Sequence, residues 1–136
     1  MLSDSARLGE VILVVADDAD YRELLSTQLR ANGYEVVAAG DGVEALGLAQ
    51  ETLLSAVIVD LHAPQLDGHE FSKRLRADGR FRTVPVVMLS GADEPDNLNE
   101  LIELGGIRYV RRGAEGHSVM RTLRLMIEDG VAPSSR

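Results

Sequence analysis

Cysteine is absent from the 136 residues, which excludes a disulfide framework and a zinc–thiolate site and is compatible with a cytoplasmic setting. Lysine is almost absent: of 14 basic residues only Lys73 is a lysine, and the rest are arginines. No stretch approaches the ~20 consecutive apolar residues that a membrane span requires. The first residues, Met1 to Glu10, are polar and lack the apolar segment of a signal peptide. Positive charge is in deficit as well. A formal net charge of −8 argues against binding a phosphate backbone, since that affinity comes from clustered Lys and Arg. What remains is a chain with 45% hydrophobic residues, sized for one domain with a real core.

Strand and helix signals alternate along the chain. Apolar, β-favouring runs place strands near 11–16, 35–39, 55–60, 84–89 and 107–111. Helical periodicity places helices near 19–31, 42–50, 67–77, 94–103 and 115–128. The first helix carries Tyr21, Leu24, Leu25 and Leu29 on one face, and the last repeats the pattern with Val119, Leu123, Met126 and Ile127. Asp18 suits the N-cap of the first helix, Asp20 the positive end of its dipole, and Gly33 its stop. Strict alternation implies right-handed crossovers and a parallel sheet covered by helices on both faces. Residues 1–9 read as a flexible tail, 10–129 as the domain, and 130–136 as a tail or the start of a linker.

Two strand ends carry acids. Ala56-Val57-Ile58-Val59 runs into Asp60 and then a Pro/Gly turn, Leu61-His62-Ala63-Pro64-Gln65-Leu66-Asp67-Gly68. Val11-Ile12-Leu13-Val14-Val15 runs towards Asp17-Asp18. Open α/β sheets bind ligands outside the carboxyl ends of their strands, so an acidic pocket is expected on that rim. These acids, Ser90-Gly91 after strand four and Tyr109 in strand five together resemble a CheY-like receiver domain of two-component response regulators. The resemblance covers about residues 10–129. It implies a flavodoxin-like (βα)5 doubly wound parallel sheet of strand order 2-1-3-4-5, a signalling role and no enzyme activity on a foreign substrate. It further implies that Asp60 is a phospho-acceptor, served by a histidine kinase or phosphotransfer protein, with Mg²⁺ alongside. Asp17, Asp60 and the main-chain oxygen of His62 would be the metal ligands. Mg²⁺ would neutralise the donor's charge against the carboxylate, and it favours such oxygen ligands. Ser90 would bond a phosphoryl oxygen, letting the ring of Tyr109 turn inward. Output would pass to a downstream protein or an attached output domain, without direct nucleic-acid or membrane contact. The face of the last two expected helices is a possible homodimer surface.

Three positions depart from that pattern. Ala16 stands where the first acid of the pair belongs, and a methyl group cannot hold even a water-mediated ion, so metal binding should weaken. Arg112 stands in place of a lysine. It would clamp Asp60, bond a phosphoryl group, or point into water; a planar, always-charged fork is not equivalent to a lysine point charge. Gly113 replaces a proline whose peptide bond is cis in the family; a cis bond here would cost about 2.5–4 kcal/mol, so trans is expected. A Ser90–phosphoryl hydrogen bond is worth roughly 1.5–3 kcal/mol, or one to two orders of magnitude in population. Losing a comparable lysine contact leaves a weak or biased switch.

Plainer readings stand beside these. Asp18 reads as a helix cap rather than a ligand, Tyr109 also as an ordinary strand aromatic, and His62 also as a solvated loop residue. His69 and His117 have no metal-site spacing and read as surface residues, and the arginines around 74–82 as a solvated helix face and loop. Gly40-Asp41-Gly42-Val43-Glu44-Ala45 matches G-x-G-x-x-A, so a nucleotide- or flavin-binding domain is the remote rival. A phosphorylation-independent pseudo-receiver is the near one, suggested by Ala16, Arg112 and Gly113 together.

Overall fold

The computed structural model describes residues 9–91, 106–112 and 116–129. The expected helix at 94–103, residues 1–8 and 130–136, and Gly113 lie outside the described residues. Five parallel strands form one sheet in the order β2-β1-β3-β4-β5. They are β1 (Val11–Val15), β2 (Glu35–Ala39), β3 (Ala56–Asp60), β4 (Val86–Ser90) and β5 (Ile107–Arg111). The described helices are α1 (Ala19–Ala31), α2 (Gly42–Gln50), α3 (Gly68–Ala77) and α4 (Gly116–Asp129). Fold class and strand order agree with the sequence reading. β4 begins two residues later than its apolar run because Pro85 has no N–H and Val84 N donates to Phe81 O at 3.3 Å, closing a 3₁₀ turn.

Alternation along the strands divides the core into two layers. Leu13, Val15, Val57, Val59 and Met88 face α2 and α3 and pack with Ala45, Ala49, Phe71 and Leu75. Ile12, Val14, Ile58, Val87 and Leu89 face α1 and α4 and pack with Leu25, Leu29, Leu123 and Met126. Short polar side chains begin the helices. Asp18 Oδ1 accepts from the N–H groups of Asp20 and Tyr21 at 3.0 and 3.1 Å, Asp41 Oδ1 from Glu44 N at 2.7 Å, and Asp67 Oδ1 from Glu70 N at 2.9 Å. α1 ends at Gly33, whose φ of 94° lets Tyr34 N reach Leu29 O at 3.1 Å and Gly33 N reach Arg30 O at 3.0 Å.

Candidate functional site: a carboxylate held by arginine

β1, β3 and β4 end side by side, and their last residues bring Asp60, Ser90 and the β1–α1 turn to one rim. Asp60 pairs with Leu89 across the β3–β4 ladder, and Ser90 with Arg111 across the β4–β5 ladder. Asp60 is 5% exposed, as is Ser90. A carboxylate this buried needs partners, and it has two. His62 N donates to Oδ1 at 2.9 Å, a short turn closed also by Ala63 N to Asp60 O at 3.1 Å. Arg112 Nη1 donates to Oδ2 at 2.7 Å.

Arg112 is tied down on every side that is described. Its main-chain N–H donates to Ser90 O at 2.6 Å. Its Nη2 lies 3.7 Å from Asp18 Oδ2, and its guanidinium carbon 4.6 Å from the centre of the Tyr21 ring. Of the three roles left open for this arginine, the structure takes the clamp on Asp60. Burial pushes the Tyr21 phenol above its ordinary range; Arg112 opposes that rise and Asp60 adds to it.

The β1–α1 turn is also occupied by an arginine. Ala16 is fully buried, and its carbonyl accepts from Arg22 Nη1 at 2.6 Å. Asp18 serves as the cap of α1, as read from the sequence, while its second oxygen faces Arg112. Asp17 is exposed, with no described hydrogen-bond partner. The side chain of His62 is exposed on the β3–α3 loop, where Gln65 alone among described non-glycine residues has positive φ, 71°.

Tyr109 is half-buried on β5, and its hydroxyl shares a hydrogen bond of 2.9 Å with His69 Nε2. The two rings meet edge to face, centroids 6.1 Å apart. His69, read from the sequence as a surface residue, is only half-exposed: at the second position of α3 it is directed at β5 and bonded to the strand aromatic. Its lack of metal-ligand spacing gave no hint of this; only the α3–β5 juxtaposition creates the pair. The side chain of His117 lies outside the described residues.

The rival nucleotide reading fails on geometry. The N-terminus of α2 is capped by Asp41, Gly42 N donates to Pro64 O at 3.1 Å, and a Cβ at Gly42 would stand 2.6 Å from Leu66 Cβ. That glycine makes room for the β3–α3 loop rather than for a pyrophosphate. A cavity of about 180 Å³ between α2 and α3, floored by Leu46, Ala49, Leu75 and Phe81, opens near the C-terminal ends of those helices. In a parallel α/β sheet this is the edge opposite the carboxylates, so it takes no part in their chemistry.

A family model described as the response regulator receiver domain matches residues 12–124. A probable transcriptional regulator, ycf27, of Guillardia theta is 40% identical over 102 residues, covering 74% of this chain and 39% of that protein. The response regulator MprA of Mycobacterium sp. (strain KMS) is 34% identical over 116 residues, 85% of this chain and 50% of that protein. The chain thus spans half or less of the length of these relatives. Among solved structures, the chemotaxis response regulator CheY4 of Vibrio cholerae superposes with a TM-score of 0.78 at 29% identity, covering 86% of this chain and 98% of that one. The receiver domain of sensor histidine kinase PA1611 from Pseudomonas aeruginosa PAO1 follows at 0.77 and 26% identity, covering 88% and 98%; it holds a magnesium ion in its active site cleft.

The residues here do not fit such an ion while Arg112 is seated. Mg²⁺ wants near-octahedral oxygen ligands. Of the expected ligands, Asp60 has given Oδ2 to Arg112 and Oδ1 to His62 N, Asp17 is exposed, and the third is only a main-chain oxygen, that of His62; Ala16 beside them adds no carboxylate. Among the described residues no three acidic, histidine or cysteine side chains converge on one point.

Proposed function

The chain belongs to the response regulator receiver domains of two-component signalling, and on that premise we propose an atypical receiver in which Asp60 is the phospho-acceptor, phosphorylation is impaired or dispensable, and output passes through protein–protein contacts. The observation that carries this reading is the 2.7 Å pair between Asp60 Oδ2 and Arg112 Nη1. A buried carboxylate at the end of β3 is the nucleophile that phosphoryl transfer needs. An ion pair on one of its oxygens lowers its availability.

In the proposed reaction an Asp60 carboxylate oxygen attacks phosphorus, the donor's P–O (or P–N) bond breaks, and the donor leaves with that electron pair. The tightly bound guanidinium disfavours attack from Oδ2, yet it stands ready to hold charge on a transferred phosphoryl group. Ser90 lies on the same rim and supplies a hydroxyl for a phosphoryl oxygen. The phosphoryl source would be a histidine kinase or phosphotransfer protein, and the recipient of the signal a downstream protein or an attached output domain. No described helix is long and apolar enough to cross a membrane; as a receiver served by a kinase or phosphotransfer protein, the module is placed by this reading in the cytoplasm.

Incubation with acetyl phosphate and Mg²⁺ followed by intact-mass spectrometry tests the reading. One slowly accumulating phosphate on wild type, absent from Asp60→Asn, is the expected result. Rapid, stoichiometric labelling would remove the impaired character. Complete absence of label would favour the phosphorylation-independent reading, in which the Asp60–Arg112 pair permanently neutralises the pocket.

A further inference from the structure

We propose that Arg112 is the pocket's resident cation, occupying the charge position between the strand-end carboxylates and thereby setting how weakly a divalent ion binds there. This rests on the reading of Asp60 as a receiver acceptor site, but it concerns the electrostatics of the rim and not the transfer of phosphate.

Three observations converge on it. First, the guanidinium touches two of the acids on this rim, Asp60 at 2.7 Å and Asp18 at 3.7 Å, while stacking on Tyr21. A group with a planar charge, two carboxylate neighbours and an aromatic floor is held in one place. Second, its own main chain is fixed, since Arg112 N donates to Ser90 O at 2.6 Å, so the side chain issues from a rigid strand end. Third, the opposite side of the rim has lost acid and gained a cation. Ala16 supplies no carboxylate, and its carbonyl is taken by Arg22 at 2.6 Å. The pocket therefore has one fewer negative charge to offer and two guanidinium groups already bonded to its oxygens.

A divalent ion must compete with this arrangement. It needs Asp60 oxygens free of Arg112, and it meets a like charge already seated there. An ion that binds only the fraction of molecules with the pair open has its apparent affinity divided by that fraction. If the pair is open about 1–10% of the time, the deficit is roughly tenfold to a hundredfold. Arginine in place of lysine widens this competition because the fork reaches two carboxylates at once.

Isothermal titration of the full chain with MgCl₂ tests the proposal on wild type, Arg112→Ala, Arg112→Gln and the Asp60→Asn, Arg112→Ala double variant. Both single variants should bind Mg²⁺ at least about tenfold tighter than wild type, a difference of 1.4 kcal/mol, and the double variant should lose that gain. Single variants no tighter than wild type overturn the assignment. A second measurement needs no substitution: the Arg112 Nε–H resonance of wild type should shift as Mg²⁺ saturates. Saturation with that resonance unmoved also overturns it. Neither readout involves phosphate, so an acceptor that never takes label leaves this result standing, and a metal-tight wild type leaves the phospho-acceptor reading standing.

Discussion

At the residue scale the chemistry of this molecule turns on two pairs of side chains that approach from different elements. Asp60 and Arg112 meet across the rim, and Tyr109 and His69 meet between β5 and α3. Burial pushes the Tyr109 phenol up to about 12 from an ordinary value of 10. Because the folded state holds that proton more tightly than the unfolded chain does, the stability it contributes is complete below pH 10 and is lost as pH rises towards 12. Tyr109→Phe should therefore show a shallower fall in urea midpoint between pH 10 and 12 than wild type. Identical slopes would mean the phenol is not held in this way. His69→Phe, which keeps the ring but removes the nitrogen, should leave the half-buried Tyr109 hydroxyl without its 2.9 Å partner and lower the urea midpoint at neutral pH; an unchanged midpoint would dismiss the contact.

At the scale of elements, α1, α2 and α3 are started by aspartates, and glycines fit the loops beside them. Asp41 and Glu44 cap reciprocally, Glu44 Oε1 accepting from Gly40 N at 2.9 Å while Asp41 accepts from Glu44 N at 2.7 Å. Asp41→Ala should cost about 1 kcal/mol in urea unfolding; no loss would show that the cap is redundant. Gly68 opens α3 where a Cβ would lie 3.0 Å from Asp60 O, and against Met88 Sδ as well. Gly68→Ala should destabilise the fold and displace the backbone of Asp60, visible as amide shifts at Asp60 and Leu61. Arg76 is more than a solvated helix arginine. Its Nη1 donates to Arg82 O at 3.0 Å, bracing the turn before β4, and burial lowers its pKa. Arg74 and Arg80 do lie on the exposed side, paired with Glu70 and Asp78.

For the molecule as a whole, the sheet grades from a dry centre to a half-wet margin. β3 is buried along its whole length and bonded on both sides, whereas β2 pairs only with β1 and exposes Glu35 and Ala38. Native-state hydrogen exchange should find the β3 amides slowest and those of β2 faster. Equal protection would mean that the sheet opens only as a unit. The same gradient explains how much of the architecture was legible beforehand. Continuous apolar runs identify strands buried on both faces, and the alternation of strands with amphipathic helices leaves few topologies for a chain of this length. The carboxylate of Asp60 was legible for the same reason, since it interrupts such a run at the end where ligands bind.

What the chain alone determined is therefore the periodic part: five strands, the four described helices, the Asp18 cap, and the acid at the end of β3. These depend on interactions within a few residues or on a repeating pattern of burial. Tertiary structure alone decided which of three roles Arg112 takes, that Arg22 bonds the Ala16 carbonyl, and that His69 meets Tyr109. The Arg112 and His69 contacts join groups on separate elements at hydrogen-bond range, and no local spacing reports where a long side chain will end once the crossovers have folded. Arg112 and Asp60 are 52 residues apart in the chain and 2.7 Å apart in space.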